Sequence, residues 1–236
     1  MMKDPYIFEN GTLKNRLGIT DYDELNAAER DIGFVKLINV DKEFAPNFDA
    51  ALLQNIHKHI FKDIFDWAGE FRTVPIYKEE IVIPGLSLEY CSPDRIAQSV
   101  EKCMQEFNQT DWSTLDLDKK SSQFTELLAK LWKVHPFRDG NTRTTMAFAY
   151  LFAKEHNFPL NLHMMLDSLS RKQDENGRIT QYSIRDKFVL AALDKKDYPE
   201  PEHLTSVIKK SIVSGVSEKI DILSTLLNSP QEKEER

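Results

Sequence analysis

His135-Pro136-Phe137-Arg138-Asp139-Gly140-Asn141-Thr142-Arg143 is the stretch on which the fold and the chemistry of this chain turn. It combines a titratable base, a carboxylate, a glycine turn and an arginine. Gly140 allows a tight turn with close backbone approach to a ligand. The residues after it carry Phe148, Leu151 and Phe152 at helical spacing, so Gly140, Asn141 and Thr142 are expected at a helix N-terminus. Unpaired N–H groups and the helix dipole favour an anion there. Arg143 in the first turn opposes that dipole unless it meets something negative, and phosphate fits its fork. Asp139 is a lone carboxylate of the kind that holds Mg²⁺ together with phosphate oxygens and water. His135 titrates near neutrality in its unperturbed state, which suits a general base for a serine, threonine or tyrosine hydroxyl. A polar loop between two helices is the plain alternative. So many specified residue types in one short window favour the functional reading.

The run resembles the signature of Fic-domain proteins, His-x-Phe-x-(Asp/Glu)-Gly-Asn-Gly-Arg-x-x-Arg. A second segment, Ile56 to Arg72, resembles the Fic helix that ends in Trp-Ala-Gly-x-x-Arg; here these are Trp67, Ala68, Gly69 and Arg72. Most Fic proteins move a nucleoside monophosphate from a nucleotide to a protein hydroxyl. The resemblance implies an all-α Fic fold and a protein adenylyltransferase that uses ATP with Mg²⁺ and modifies a protein substrate, itself included. It implies His135 as base, Asp139 as metal ligand, and Gly140, Asn141, Thr142 and Arg143 as the nucleotide cradle. Tyr182 and Arg185 fall in a segment similar to the late Fic helix that helps form the base pocket. Two departures stand out. Thr142 replaces the usual third glycine, and Met146 replaces the second arginine, which in the family contacts the γ-phosphate and often pairs with an inhibitory glutamate. Transfer of UMP or phosphate on the same scaffold, or a catalytically silent binding module, are the alternatives.

Thr73 to Tyr77 and Ile81 to Ile83 are β-favouring stretches joined by Lys78-Glu79-Glu80, and they read as a short hairpin over 73–83. That is the position of the Fic flap, which registers the target by strand pairing. Ile76, Tyr77 and Lys78 are its expected target contacts. The inhibitory pattern (Ser/Thr)-x-x-x-Glu is matched loosely by Thr20/Glu24, Ser122/Glu126 and Ser214/Glu218. None is followed by glycine or asparagine, and chance explains such matches well. Ser214 and Glu218 are kept as an inhibitory candidate because one Fic class carries its inhibitor in the C-terminal helix. A small antitoxin-like protein partner, as in Fic toxin–antitoxin pairs, is equally open.

His57 and His59 point in different directions on a helix and make no metal pair. His57 is read as structural. The remaining pattern is helical over about 21–39, 47–65, 93–107, 116–134, 141–157, 179–193 and 202–227, with a turn at 174–177 and a polar tail over 228–236. The expected organisation is an N-terminal segment and helix over 1–40, a Fic domain over 41–197, and a C-terminal helix and tail over 198–236. With 41% hydrophobic, 10% aromatic and 29% charged residues, the 236-residue chain has a globular composition. Its net charge of −7, without a Lys/Arg stripe, argues against nucleic acid. No apolar run approaches a membrane span. Met1 to Asn10 lacks the pattern of a secretory signal, and two cysteines suit a reducing compartment, so a cytoplasmic location is expected.

Overall fold

The computed structural model describes residues 4–44, 47–78, 80, 82–83, 88–161, 171–193 and 202–227, the last segment with side chains over 204–216. Among these, seven α-helices carry the fold: α1 Tyr22–Ile38, α2 Ala50–Phe61, α3 Ile96–Gln109, α4 Leu117–Val134, α5 Asn141–Glu155, α6 Ile184–Ala192 and α7 Glu202–Leu227. Aspartate caps start three of them. Asp21, Asp49 and Asp116 accept from the N–H of Glu24, Leu52 and Lys119, which satisfies donors that the first turn leaves open.

Helix α4 is central. Its apolar stripe of Phe124, Leu127, Leu128, Leu131 and Trp132 is buried, and α3, α6 and α7 pack on it. Helix α5 lies on α2 and α4, and α1 lies on α2. Phe107, Trp112, Phe124 and Phe152 meet in mostly edge-on pairs in the space between α3, α4 and α5. Burying each such ring contributes a few kcal/mol, roughly 1.5–3 on area grounds. That is what holds α4 and α5 at a fixed angle and hence the loop between them. The core is continuous from Leu25 and Leu37 of α1 to Leu204, Ile208 and Ile212 of α7. Helix α7 approaches closely at Gly215, where a Cβ would lie 2.2 Å from the Pro159 carbonyl oxygen.

Two expectations are corrected. The described residues of 73–83 include no strand, although burial alternates from Thr73 to Lys78 with Ile76 inward and Tyr77 outward. Pro75 removes a backbone donor from that stretch, and Arg72 Nη1 takes the carbonyl of Val74 at 2.7 Å. The one sheet among the described residues pairs β1, Lys172–Gln173, with β2, Ile179–Gln181, in antiparallel fashion. Its turn is the expected 174–177. The helix expected from Ile179 therefore starts at Ile184, where Ser183 and Asp186 form a reciprocal capping box.

Candidate active site

Two left-handed residues shape the loop between α4 and α5. His135 caps α4 at φ 51°, ψ 58°, and Gly140 precedes α5 at φ 75°. Positive φ is uncommon for a residue with a Cβ, and the neighbours hold His135 in place. Its N–H donates to Trp132 O at 3.0 Å, and its carbonyl accepts from Arg72 Nε at 2.8 Å. The buried Arg72 also gives its backbone N–H to Pro136 O at 2.8 Å. Asn141 braces the loop with both ends of its amide, accepting from Phe137 N at 2.9 Å and donating to Phe137 O at 2.8 Å. Its side chain is thus engaged within the loop, and only its backbone N–H is left for a ligand.

His57 joins the loop to the Trp67–Arg72 turn. Gly69 N–H donates to its Nδ1 at 2.8 Å, so the proton sits on Nε2, which donates to Asp139 O at 3.1 Å. Its ring stacks on Phe137 at 3.9 Å and 15°. Burial pushes its pKa down to about 3. It is a neutral structural histidine, as the sequence suggested.

His135 is also buried, at 2% exposure. Its Nδ1 lies 3.3 Å from Trp132 O. A carbonyl only accepts, so Nδ1 carries the proton and Nε2 keeps the lone pair. Among the described residues Nε2 has no hydrogen-bond partner. Burial, then the nearby Lys78 and Arg185 charges, hold the imidazole pKa well below its ordinary value. The ring is neutral at physiological pH with a basic nitrogen to offer.

A cavity of about 710 Å³ gathers His135, Asp139, Gly140, Asn141, Thr142 and Arg143 with Lys78, Arg185 and Glu29. Burial works against the Asp139 charge. Lys78, Arg143 and the Gly140 N–H outweigh it and keep the carboxyl well below the usual range. Lys78 Nζ lies 3.8 Å from Asp139 Oδ1, and Gly140 N donates to the same oxygen at 2.7 Å. Arg143 packs over the Phe61 ring at 4.5 Å and reaches α1, donating to Glu29 Oε2 at 2.7 Å and to Glu29 O at 3.1 Å. Burial, then the Asp139 charge, raise the Glu29 pKa to about 7 despite this pairing. The first N–H groups of α5 have no acceptor within the helix, and they open on the same space.

Thr142 has a structural reason to differ from glycine: its hydroxyl accepts from the buried Trp132 indole Nε1 at 3.0 Å. Met146 is buried in the core and does not line the cavity. Other expected site residues fall elsewhere. Tyr182 packs half-buried against the core, and it is Ile184 and Arg185 that line the cavity from that side. The Ile76 side chain is buried, whereas Tyr77 is 86% exposed. Ser214 accepts from Asn161 Nδ2 at 2.9 Å in the seam between α7 and the chain after α5, away from the cavity. The Glu218 side chain lies outside the described residues. Glu29, Arg72, Glu80 and Tyr90 were given no site role by sequence reasoning. Arg72 alone had a signal, its place in the Trp-Ala-Gly-x-x-Arg pattern.

Residues 47–153 match the Fic/DOC family model, so this chain carries a Fic domain. Among curated proteins it is similar to the protein adenylyltransferase VbhT of Bartonella schoenbuchensis, 25% identical over 219 residues, which are 92% of this chain and 43% of that protein. A protein adenylyltransferase of Bartonella henselae is 30% identical over 172 residues, 68% of this chain and 31% of that protein. The chain thus spans less than half the length of these two relatives. The fold is that of the BepC effector protein of Bartonella tribocorum, solved with bound AMPPNP. That structure superposes with a TM-score of 0.69 at 19% identity, over 89% of this chain and 97% of the other. The Fic domain of Bep8 from Bartonella sp. 1-1C gives 0.68 at 21% identity over 89% and 95%.

Proposed function

We propose that this chain is a protein adenylyltransferase that moves AMP from ATP to a Ser, Thr or Tyr hydroxyl of a protein, its own chain included. The observation that carries the reading is the His135 Nε2 lone pair, buried without a partner among the described residues, beside a cavity whose wall is the N-terminus of α5. The similarity to proteins named adenylyltransferases, and to a structure holding AMPPNP, points the same way.

In this reading the polyphosphate lies against the N–H groups of Asn141, Thr142 and Arg143, and Arg143 exchanges Glu29 for phosphate oxygens. Asp139 would hold Mg²⁺, which when bound neutralises and orients phosphate charge. The donors suit such an ion: Asp139 is kept ionised, and no group of three or more His, Cys, Asp or Glu among the described residues could bind a metal unaided. The target docks along 73–83 beside the exposed Tyr77 and the half-buried Lys78. His135 Nε2 takes the hydroxyl proton, the oxygen bonds to the α-phosphorus, and the bond to the β-phosphate bridge breaks to release pyrophosphate. Positioning and charge stabilisation supply most of the rate.

Two free thiols, Cys91 and Cys103, fit a cytoplasmic setting. Among the described residues no helix is long and apolar enough to cross a membrane. With Ser214 tied to Asn161, inhibition from a separate antitoxin-like protein is the form of control this reading favours.

The test incubates the protein with Mg²⁺ and ATP labelled at the α- or the γ-phosphate, with a His135→Ala control. Protein-bound α-label that falls at least about a hundredfold in the mutant is expected, within the range for loss of a general base. Bound γ-label alone would assign phosphate transfer instead. Undiminished labelling by His135→Ala would remove the histidine from the mechanism.

A further inference from the structure

The His135 ring is covered by a side chain that no motif foretold. Tyr90 stacks on it with ring centroids 4.0 Å apart at 28°, while Trp132 meets it edge-on at 5.1 Å. The Tyr90 hydroxyl donates to Glu80 Oε1 at 2.9 Å. Arg185 holds both oxygens of that carboxylate, Nη1 to Oε2 at 2.5 Å and Nη2 to Oε1 at 2.7 Å. The Glu80 side chain is fully buried. An arginine in the first turn of α6 is therefore linked through Glu80 and Tyr90 to the histidine at the end of α4.

Simple coverage of an imidazole needs only a phenyl ring. The hydroxyl adds a polar group that must be matched inside the protein, and Glu80 adds a buried charge that costs several kcal/mol unless it is paired. Burial and the Glu80 charge also drive the phenol pKa upward, so the group stays a donor. The restraint has a use at His135. Among the described residues the only hydrogen bond on its ring is the 3.3 Å contact of Nδ1 with Trp132 O, long for an N–H···O bond. Such a bond leaves the ring free to tilt, and tilting swings Nε2. A displacement of about 1 Å costs on the order of a hundredfold in rate for a group that must meet a hydroxyl in line.

We propose that Tyr90 is a positioning residue for the His135 base, held flat on the imidazole through Glu80 by Arg185. The proposal rests on the reading of His135 as the base. Because Arg185 lines the cavity, the anchor of this chain also stands where nucleotide would bind.

Tyr90→Phe is the informative variant, since it keeps the ring and removes only the hydroxyl. Two readouts are taken on it, on Glu80→Ala and on the double variant. One is the rate at which diethyl pyrocarbonate modifies His135, followed by peptide mass. The other is kcat and KM for ATP in α-label transfer. The expected result for Tyr90→Phe is His135 modification about tenfold faster and kcat about tenfold lower, with KM for ATP within about twofold and a thermal midpoint close to wild type. The double variant should match Glu80→Ala, because both changes break one chain. Wild-type reactivity of His135 in Tyr90→Phe, or a change confined to KM, would overturn the proposal, as would additive effects in the double variant. If the wild-type protein transfers no label, the adenylyl-transfer reading fails, while the modification rate still decides whether Tyr90 positions the ring.

Discussion

A methyl group at position 140 has nowhere to go. A Cβ built there lies 2.3 Å from Phe61 Cε2 and 2.4 Å from Cζ, and φ is 75°. The glycine lets the α5 N-terminus sit directly against the aromatic wall of α2, the same ring that Arg143 covers on its other approach. Gly140→Ala is expected to cost about 2–4 kcal/mol, combining overpacking with the left-handed penalty. It should also weaken ATP binding, because relief of the clash moves the first turn of α5. Denaturant unfolding and equilibrium nucleotide binding check the two parts separately; wild-type stability would show that Phe61 yields freely. Thr142 is legible by the same logic. A glycine there would leave the Trp132 indole without its acceptor.

At the scale of elements, α1 enters the site from far away in sequence. It delivers Glu29 to Arg143, and burial next to Asp139 makes that carboxylate reluctant to ionise. A negative charge on this wall repels a polyphosphate. Glu29→Gln keeps the shape of the contact and removes the charge, so KM for ATP should fall several-fold, on the order of 1 kcal/mol at an effective surface dielectric. The gain should be larger at pH 8 than at pH 6, because the wild-type carboxyl, with its pKa near 7, is ionised at the higher pH and largely protonated at the lower. Titration of binding at the two pH values measures it. An unchanged KM at pH 8 would mean that Arg143 and Glu29 stay paired when ATP is bound.

Over the whole molecule the buried histidines set the response to acid. His57 and His135 are neutral in the fold and have pKa values below 6.5, so below pH 6.5 the unfolded chain takes up protons that the folded chain refuses. Each then removes up to about 1.4 kcal/mol of stability per pH unit, for His57 down to about pH 3. Glu29 opposes this. Its folded pKa of about 7 exceeds the ordinary 4.5, so lowering the pH across that window restores stability. Below about 4.5 that compensation ends, and Asp139, held ionised in the fold, adds its own loss. The expected curve of unfolding free energy is shallow from pH 7 to 5 and steep below 4.5. Urea unfolding across that range gives the curve; equal stability at pH 7 and pH 4 would show that these histidines are not shielded as the structure has them.

The sequence by itself determined the helices and the loop. Apolar spacing and aspartate caps are local, and they located α1 to α5 and α7 to within a few residues. The motif placed a base, a carboxylate and an arginine around one helix N-terminus for the same reason, since its members are neighbours in the chain. Tertiary structure decided the rest. The stretch 73–77 is β-favouring, yet the core claims Ile76 and Arg72 takes the Val74 carbonyl, and the pattern that marks Arg72 says nothing of its burial. The five strand residues, Lys172–Gln173 and Ile179–Gln181, pair only because the 174–177 turn folds them together. Glu29, Glu80 and Tyr90 reach the site through packing of α1, α6 and the segment after Arg72, and sequence spacing carries no information about distances set by the core.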